Sequence, residues 1–182
     1  MVEKKPRRGR ADLIYGPGLF DLQCNGYAGV DFNHPETAPE AIMEGLRAMW
    51  AHGCMDVLPT LITAAPERLK SRFAALRQAL ALDPRVRASV PGFHLEGPFI
   101  SPVDGARGAH PLPHVQPASA TVWRDVQRAA GGEIVLLGLA PEVKGALPLI
   151  RKLRSEGVAV AVAHTMATRA EIAAAAEAGA AM

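Results

Sequence analysis

The chain has 182 residues, of which 49% are hydrophobic and 21% charged, and its formal net charge is +2. This length and composition suit one soluble globular domain and argue against a disordered or fibrous chain. No apolar run reaches the about 20 residues that a membrane span needs. Cys24 and Cys54 are too few for a disulfide framework, and the only basic run lies at residues 4–10. We therefore expect a cytoplasmic protein without nucleic-acid or membrane partners.

Helices and strands are predicted to alternate along almost the whole chain. Residues 1–15 are polar and basic, and we predict an irregular remnant of an N-terminal region, followed by one domain over residues 16–182. Gly26, Gly29 and the residues between them are predicted to form a loop. Predicted strands cover residues 19–26, 55–60, 88–96, 133–139 and 158–165. Predicted helices cover about residues 38–52, 66–82, 119–130, 143–156 and 168–179, the first and last opening on capping-box spacings at Thr37 and Thr168.

The alternation predicts an α/β fold with a parallel sheet. The strands at 133–139 and 158–165 are apolar on both faces, as in sheets covered by helices on each side. Polar side chains follow the strands at their carboxyl ends, which is where (β/α) barrels place active sites. A doubly wound sheet would predict the same edge, but no glycine-rich phosphate fingerprint is present. About five β-α units precede residues 180–182, where a sixth strand should begin, so we expect a barrel present only in part.

The stretch from Gly92 to Ser101 is the strongest candidate for a site. His94 and Glu96 are two residues apart on a predicted strand, so they face the same side, and Gly97-Pro98 ends the strand. A loop rich in proline and glycine then runs to residue 118, and loops of this length are usually functional.

A divalent metal site is the chemistry that these residue types favour. Glu96 and His164 end different strands, and carboxylate and imidazole are good zinc ligands. His110 follows the long loop and is either a third ligand or a group that polarises a substrate carbonyl. His94 is a candidate for orienting Glu96. The remaining histidines His34, His52 and His114 have no evident partner, the two cysteines read as small buried residues, and Asp56 reads as a surface acid.

Five collinear segments resemble N-acetylglucosamine-6-phosphate deacetylases of the amidohydrolase superfamily. The combination of H-L-E-G-P with a following G-A-H-P is the specific part of this resemblance. It extends over about residues 16–180. The segments are Pro17–Gly26, His94–Phe99, Gly108–Pro111, Leu139–Glu142 and Ala163–Thr168.

The resemblance implies a metal-dependent (β/α) TIM barrel of the amidohydrolase type. Glu96 and His164 match the family's metal ligands, and the ion is expected to be zinc, with iron as an alternative. Ala109 is expected to contact the sugar, and His110 to hold or polarise the amide carbonyl as a catalytic residue. Gln23 and Asn25 stand where other members carry an H-x-H pair for a second metal, so a single ion is expected.

The implied reaction is deacetylation of N-acetylglucosamine 6-phosphate to glucosamine 6-phosphate and acetate, by a homo-oligomer, expected to be a dimer. The family's third metal histidine, its catalytic aspartate and most of its N-terminal β-sandwich have no counterpart in the sequence, so the 182 residues alone are expected to be inactive. Two alternatives stay open. One is another amidohydrolase, such as a cyclic amidase or dipeptidase. The other is a non-catalytic truncated module that associates through an exposed sheet edge.

Overall fold

A five-stranded parallel sheet is the framework of the structure, a computed structural model that describes residues 16–182. The remnant predicted at residues 1–15 lies outside the described residues. The strands are β1 (Leu19–Cys24), β2 (Gly26–Tyr27), β3 (Val30–Asp31), β4 (Cys54–Ile62), β5 (Phe93–Glu96), β6 (Ile134–Leu139) and β7 (Ala159–Val162). The helices are α1 (Pro39–Trp50), α2 (Pro66–Leu82), α3 (Pro84–Ala88), α4 (Ala120–Ala129), α5 (Ala146–Ser155) and α6 (Arg169–Ala178), with a 3-10 turn at Leu112–His114.

The strands of the main sheet follow one another in the order β1-β4-β5-β6-β7. Each strand therefore pairs with the next strand of the main sheet along the chain, and no switch point of the doubly wound kind occurs in the described part. The sheet curls, and the predicted α/β class with a parallel sheet is confirmed. This winding brings the carboxyl ends of all five strands to one rim.

Helix α6 begins as the sequence predicts, whereas α1 does not. The Thr168 hydroxyl accepts from the Glu171 amide at 3.3 Å, and the Glu171 carboxylate accepts from the Thr168 amide at 2.7 Å. The capping box predicted at Thr37 is absent, because the Thr37 hydroxyl donates to the Asp31 carbonyl at 2.7 Å. The N-cap of α1 is Ala38, without a side-chain cap.

Three further boundaries differ from the sequence prediction. The predicted loop after β1 contains the β2–β3 hairpin, whose turn residues Ala28 and Gly29 have φ of +52° and +83°, as a tight hairpin requires. The predicted strand at 88–96 shortens to β5, because Asp83 caps α3 and the chain is helical up to Ala88. Helix α5 starts at Ala146 rather than 143, because residues 141–145 form turns and a bend.

Burial is deepest in the middle of the sheet. All four residues of β5 are buried, and the Phe73 and Phe93 rings pack with centroids 5.6 Å apart. At the β7 edge, the Ala181 amide donates to the Val160 carbonyl at 2.9 Å. No helix within residues 16–182 is long and apolar enough to cross a membrane.

Candidate metal-binding site

Three ionisable side chains converge at the carboxyl rim of the sheet. Glu96 ends β5, His164 follows β7 by two residues, and His110 lies in the loop after β5. The Glu96 Oε1 atom lies 2.9 Å from His164 Nε2, and His110 Nε2 lies 3.2 Å from His164 Nε2 and 3.8 Å from Glu96 Oε2. Glu96 and His110 are buried, whereas 25% of the His164 side chain is exposed. The two candidate ligands predicted from sequence are thus adjacent, with His110 beside them.

The hydrogen bonds of His164 leave a lone pair directed at Glu96. Its Nδ1 lies 2.9 Å from the carbonyl oxygen of Ala106, an acceptor, so Nδ1 carries a proton. In the neutral ring, Nε2 is then an acceptor that faces the acceptor oxygen of Glu96. Two acceptors 2.9 Å apart need a positive charge between or beside them, either a proton on Nε2 or a metal ion, and two ligands of tetrahedral zinc lie about 3.3 Å apart. The donor set therefore fits a divalent metal ion.

His110 is held from the other side by Thr63, a residue that the sequence analysis missed. His110 Nδ1 lies 2.8 Å from the Thr63 hydroxyl and 3.4 Å from the Thr63 backbone nitrogen. Burial lowers the pKa of His110, the neighbouring His164 lowers it further, and Glu96 opposes the shift. The ring is accordingly neutral near pH 7.

Two amide side chains, Gln23 on β1 and Asn25 directly after it, also reach this rim. Gln23 Nε2 donates to Glu96 Oε1 at 2.9 Å, so it supports the carboxylate from the side of β1. Asn25 Nδ2 donates to the Thr60 carbonyl at 3.4 Å. Gln23 therefore offers hydrogen atoms, not a lone pair, toward Glu96.

His94 does not orient Glu96, contrary to the sequence prediction. It is buried, and its Nδ1 lies 3.3 Å from the Thr60 hydroxyl, while within residues 16–182 its Nε2 has no hydrogen-bond partner. Burial lowers the pKa of His94, and the Glu96 carboxylate and the Leu22 carbonyl oppose that shift. The Glu96 carboxylate instead contacts Gln23 and His164, each at 2.9 Å.

An open cleft of about 370 Å³ leads to the three ionisable groups. Ala109, predicted to touch substrate, lies on its wall, and so do Asp31 and Asn33, which the sequence analysis did not select. Asn33 bridges the end of β4, since it accepts from the Ile62 amide at 2.9 Å and donates to the Thr60 carbonyl at 3.0 Å. Asn33 lies two residues after the β2–β3 hairpin, which follows the first strand. This position is the signal that could have identified Asn33 from the sequence.

The segment carrying Asn33 is fixed by one buried arginine. The Arg72 guanidinium donates to the carbonyl groups of Phe32, Pro35 and Thr37 at 3.0 to 3.2 Å. Burial lowers the pKa of Arg72, and Arg68 adds to that effect. The cleft wall is thus tied to helix α2.

The loop at residues 97–118 serves both histidines of the site. It supplies the Ala106 carbonyl to His164, and it carries His110, whose own carbonyl accepts from Arg107 Nη1 at 2.7 Å. The Ser101 amide of the same loop donates to the His164 carbonyl at 2.9 Å. The predicted functional importance of this long loop therefore has a structural basis.

A carboxylate at the end of β6 fixes the backbone beyond His164. Glu142 accepts from the Thr165 hydroxyl at 2.6 Å and from the Met166 amide at 2.7 Å. His164 itself has φ of +48°, in the left-handed region that a histidine rarely adopts. The Glu142 contacts hold the two residues that follow this conformation.

The other residues weighed in the sequence lie away from the cleft. His34 and His52 are exposed, His52 packing edge-on against Tyr27, and His114 is half-buried in the 3-10 turn. Cys24 is buried, and burial raises the pKa of its thiol to about 11, whereas Cys54 is only partly buried. Asp56 is an exposed acid, as expected.

Comparison with known proteins confirms the resemblance seen in the motifs. No family model matches the chain. The N-acetylglucosamine-6-phosphate deacetylase of Homo sapiens is 34% identical over 167 residues, covering 88% of this chain and 39% of the relative. The enzyme of the same description from Bacillus subtilis (strain 168) is 31% identical over 172 residues, covering 93% and 42%. The chain thus spans about two fifths of the length of these relatives.

A solved structure extends the similarity to the fold. N-acetyl-D-glucosamine-6-phosphate deacetylase from Mycobacterium smegmatis superposes with a TM-score of 0.75 at 31% identity, covering 90% of this chain and 44% of that one. A variant of the mycobacterial enzyme was solved in complex with N-acetyl-D-glucosamine-6-phosphate.

Proposed function

We propose that this chain is part of an N-acetylglucosamine-6-phosphate deacetylase, a metal-dependent hydrolase of amino-sugar metabolism. The observation that carries the proposal is the convergence of Glu96, His110 and His164 at one rim of a sheet that superposes on these deacetylases. Because the chain spans about two fifths of the relatives, the activity is proposed for a protein in which the rest of the deacetylase is also present. The proposed fold of residues 16–182 is a partial amidohydrolase TIM barrel.

Glu96 and His164 are proposed as the protein ligands of one divalent ion, zinc or alternatively iron. The support is the pair of acceptor atoms 2.9 Å apart, one of which is a carboxylate oxygen. Gln23 and Asn25 are proposed as a vestigial second-metal position. The Gln23 amide donates to Glu96 at 2.9 Å, and an amide N–H group cannot bind a cation. This contact favours a single ion.

The catalytic roles follow from which atoms reach the cleft. A bound zinc ion would lower the pKa of a coordinated water and so supply hydroxide near neutral pH. His110, neutral and 2% exposed, is proposed to donate a hydrogen bond to the acetamide carbonyl and to the negative charge that develops on its oxygen. Ala109, exposed on the cleft wall, is proposed to contact the sugar through its backbone.

The remaining proposals concern substrate and assembly. The substrate is a small amino-sugar phosphate, as in the complex of the mycobacterial relative. A cytoplasmic location and a homodimer stay predictions. Other amidohydrolase activities and a non-catalytic module are less favoured, because the curated relatives are deacetylases.

Metal content of the purified chain tests the proposed site. We expect near-stoichiometric zinc or iron by elemental analysis after dialysis, and its loss in the double variant Glu96→Ala/His164→Ala. His52→Ala serves as the matched control, because this histidine is exposed and away from the cleft. Equal metal in the double variant and in the control would refute the ligand assignment. Acetate release from N-acetylglucosamine 6-phosphate by the longer protein, abolished by the same double change, would test the reaction.

A further inference from the structure

Thr63 lies directly after β4 in a closed space behind His110. It is fully buried, and its hydroxyl lies 2.8 Å from His110 Nδ1 and 3.3 Å from the Glu96 carbonyl oxygen. Gly97 leaves no further room, because a Cβ at this position, whose φ is +79°, would lie 2.1 Å from the hydroxyl oxygen. The hydroxyl is therefore fixed between the ends of β4 and β5.

The backbone amide of Thr63 determines the direction of these hydrogen bonds. Within the described residues its acceptor is His110 Nδ1 at 3.4 Å, and an amide N–H can only donate. His110 Nδ1 must therefore be unprotonated, and the hydroxyl can donate to it as well. The reverse arrangement would place a proton on Nδ1 and turn the hydroxyl to the Glu96 carbonyl. It would leave the buried Thr63 amide without an acceptor, which native proteins avoid.

With Nδ1 unprotonated, the proton of the His110 ring lies on Nε2, which is 3.2 Å from His164 Nε2 and 3.8 Å from Glu96 Oε2. We propose that Thr63 is a positioning residue that holds the His110 ring with Nε2 protonated, so that it presents a hydrogen-bond donor to the carbonyl oxygen of an acetamide. The identity of that acceptor rests on the proposed function. The tautomer itself rests only on the contacts of Thr63.

The inference favours the second of the two roles that the sequence left open for His110, a group that polarises a carbonyl. A metal ligand needs a lone pair on Nε2, whereas a group that polarises a carbonyl needs a proton there. His164 is held in the opposite tautomer by the Ala106 carbonyl, which leaves its Nε2 with a lone pair. The two rings are thus complementary, because His110 Nε2–H can donate to the lone pair of His164 Nε2 at 3.2 Å. A cation bound to that lone pair would leave the His110 proton for an oxygen atom.

Nuclear magnetic resonance of the histidine rings tests the assignment without any need for activity. In the chain labelled with ¹⁵N-histidine, long-range ¹H–¹⁵N correlations distinguish the two neutral tautomers at pH 7.5. We expect the Nε2–H form for His110 and the Nδ1–H form for His164, with His110→Gln and His164→Gln used to assign the signals. A wild-type His110 in the Nδ1–H form would overturn the proposal, whatever the variants show.

Variants of Thr63 test its contribution to the tautomer. Thr63→Val removes the hydroxyl and keeps the shape, and we expect the ratio of Nε2–H to Nδ1–H forms to fall about five- to tenfold, the effect of one lost hydrogen bond. Thr63→Ser restores the hydroxyl and should restore the ratio. An unchanged ratio in Thr63→Val would show that Thr63 does not position the ring. Equal thermal unfolding midpoints of the variants would confirm that the fold is intact.

Zinc titration in the same samples separates this inference from the proposed function. If zinc binds and the Nε2–H signal of His110 persists, both the inference and the metal site are supported. If no zinc binds but the tautomers are as expected, the proposed metal site fails while the role of Thr63 stands. If zinc binds and displaces the Nε2 proton of His110, the inference is overturned, because His110 is then a ligand.

Discussion

The middle of the sheet and its two edges all contribute side chains to the site, but they differ in how deeply they are buried. Every residue of β5 is buried, and Glu96 is fixed at its end. On β1, by contrast, Leu19, Phe20 and Leu22 are exposed by 65%, 49% and 40%. The position of Glu96 is therefore fixed by the packing of the core around β5.

The side chains contributed by the edges depend on a few polar contacts instead. His164 follows edge strand β7, adopts a left-handed backbone and is held by the Ala106 carbonyl and by Glu142 through the next two residues. The difference teaches that one candidate ligand is positioned by packing and the other by hydrogen bonds. Changes in the core should act on stability, and changes at the edges should act on metal affinity.

The largest expected effect comes from removing a ring in the middle of the sheet. Phe93→Ala should lower the free energy of unfolding by about 3–5 kcal/mol, because the ring is fully buried against Phe73 and leaves a cavity. Phe20→Ala, on the exposed edge, should change it by about 0.5 kcal/mol or less. Urea denaturation measures both values. Similar losses in the two variants would mean that centre and edge do not differ in packing.

Metal affinity should respond to the edge contacts while stability changes little. Glu142→Ala removes the acceptor for the Thr165 hydroxyl and the Met166 amide, so the His164 ring should lose its orientation. We expect zinc affinity to fall by about 10- to 100-fold, as is usual for residues that orient a metal ligand. Calorimetric zinc titration measures the affinity. Glu177→Ala, an exposed glutamate on α6, makes the same charge change and should leave the affinity unaltered.

The smallest effect is expected at Asp83, far from the carboxyl rim. Hydrogen bonds from the Arg85 side chain and backbone lower the pKa of Asp83 to about 2. A carboxyl group whose pKa falls on folding stabilises the protein above its ordinary pKa, and this contribution is lost as the pH falls from about 4 to 2. Asp83→Asn should therefore unfold at lower urea concentration at pH 6 and show a weaker pH dependence below pH 4.

The Asp83→Asn variant also tests whether stability and metal affinity depend on different contacts. Asp83 caps α3 and contacts neither β1 nor the cleft, so its zinc affinity should equal that of the unchanged chain. A reduced zinc affinity in Asp83→Asn would contradict the assignment of metal binding to the rim contacts alone.

The sequence was sufficient to predict those site residues that can be recognised by residue type and by their position at the end of a strand. Glu96 and His164 were found because they end strands, and the rim of a parallel sheet brings such residues together. Alternating apolar segments likewise predicted a parallel sheet covered by helices. The α3 helix was missed because Asp83 caps it locally, and Thr37 was misread because its hydroxyl bonds to Asp31 instead.

The supporting residues could not be predicted from the sequence, because their roles lie in contacts between distant positions. Thr63 is 47 residues from His110, and Ala106 is 58 residues from His164. Ala106 acts through its carbonyl group, which every residue possesses, so no side-chain pattern could identify it. Such contacts can be identified only from the folded structure.

The loop at residues 97–118 carries His110 and contacts His164, so we expect the two histidines to be released together when it opens. Since it carries His110 and supplies the carbonyl that orients His164, a transient local unfolding of this loop would withdraw the hydrogen-bond donor and release the candidate ligand together. The Ser101 amide, bonded to the His164 carbonyl, should report this event through its rate of hydrogen–deuterium exchange. Bound zinc should slow that exchange in proportion to its occupancy, so metal retention and loop closure would be two measures of one equilibrium.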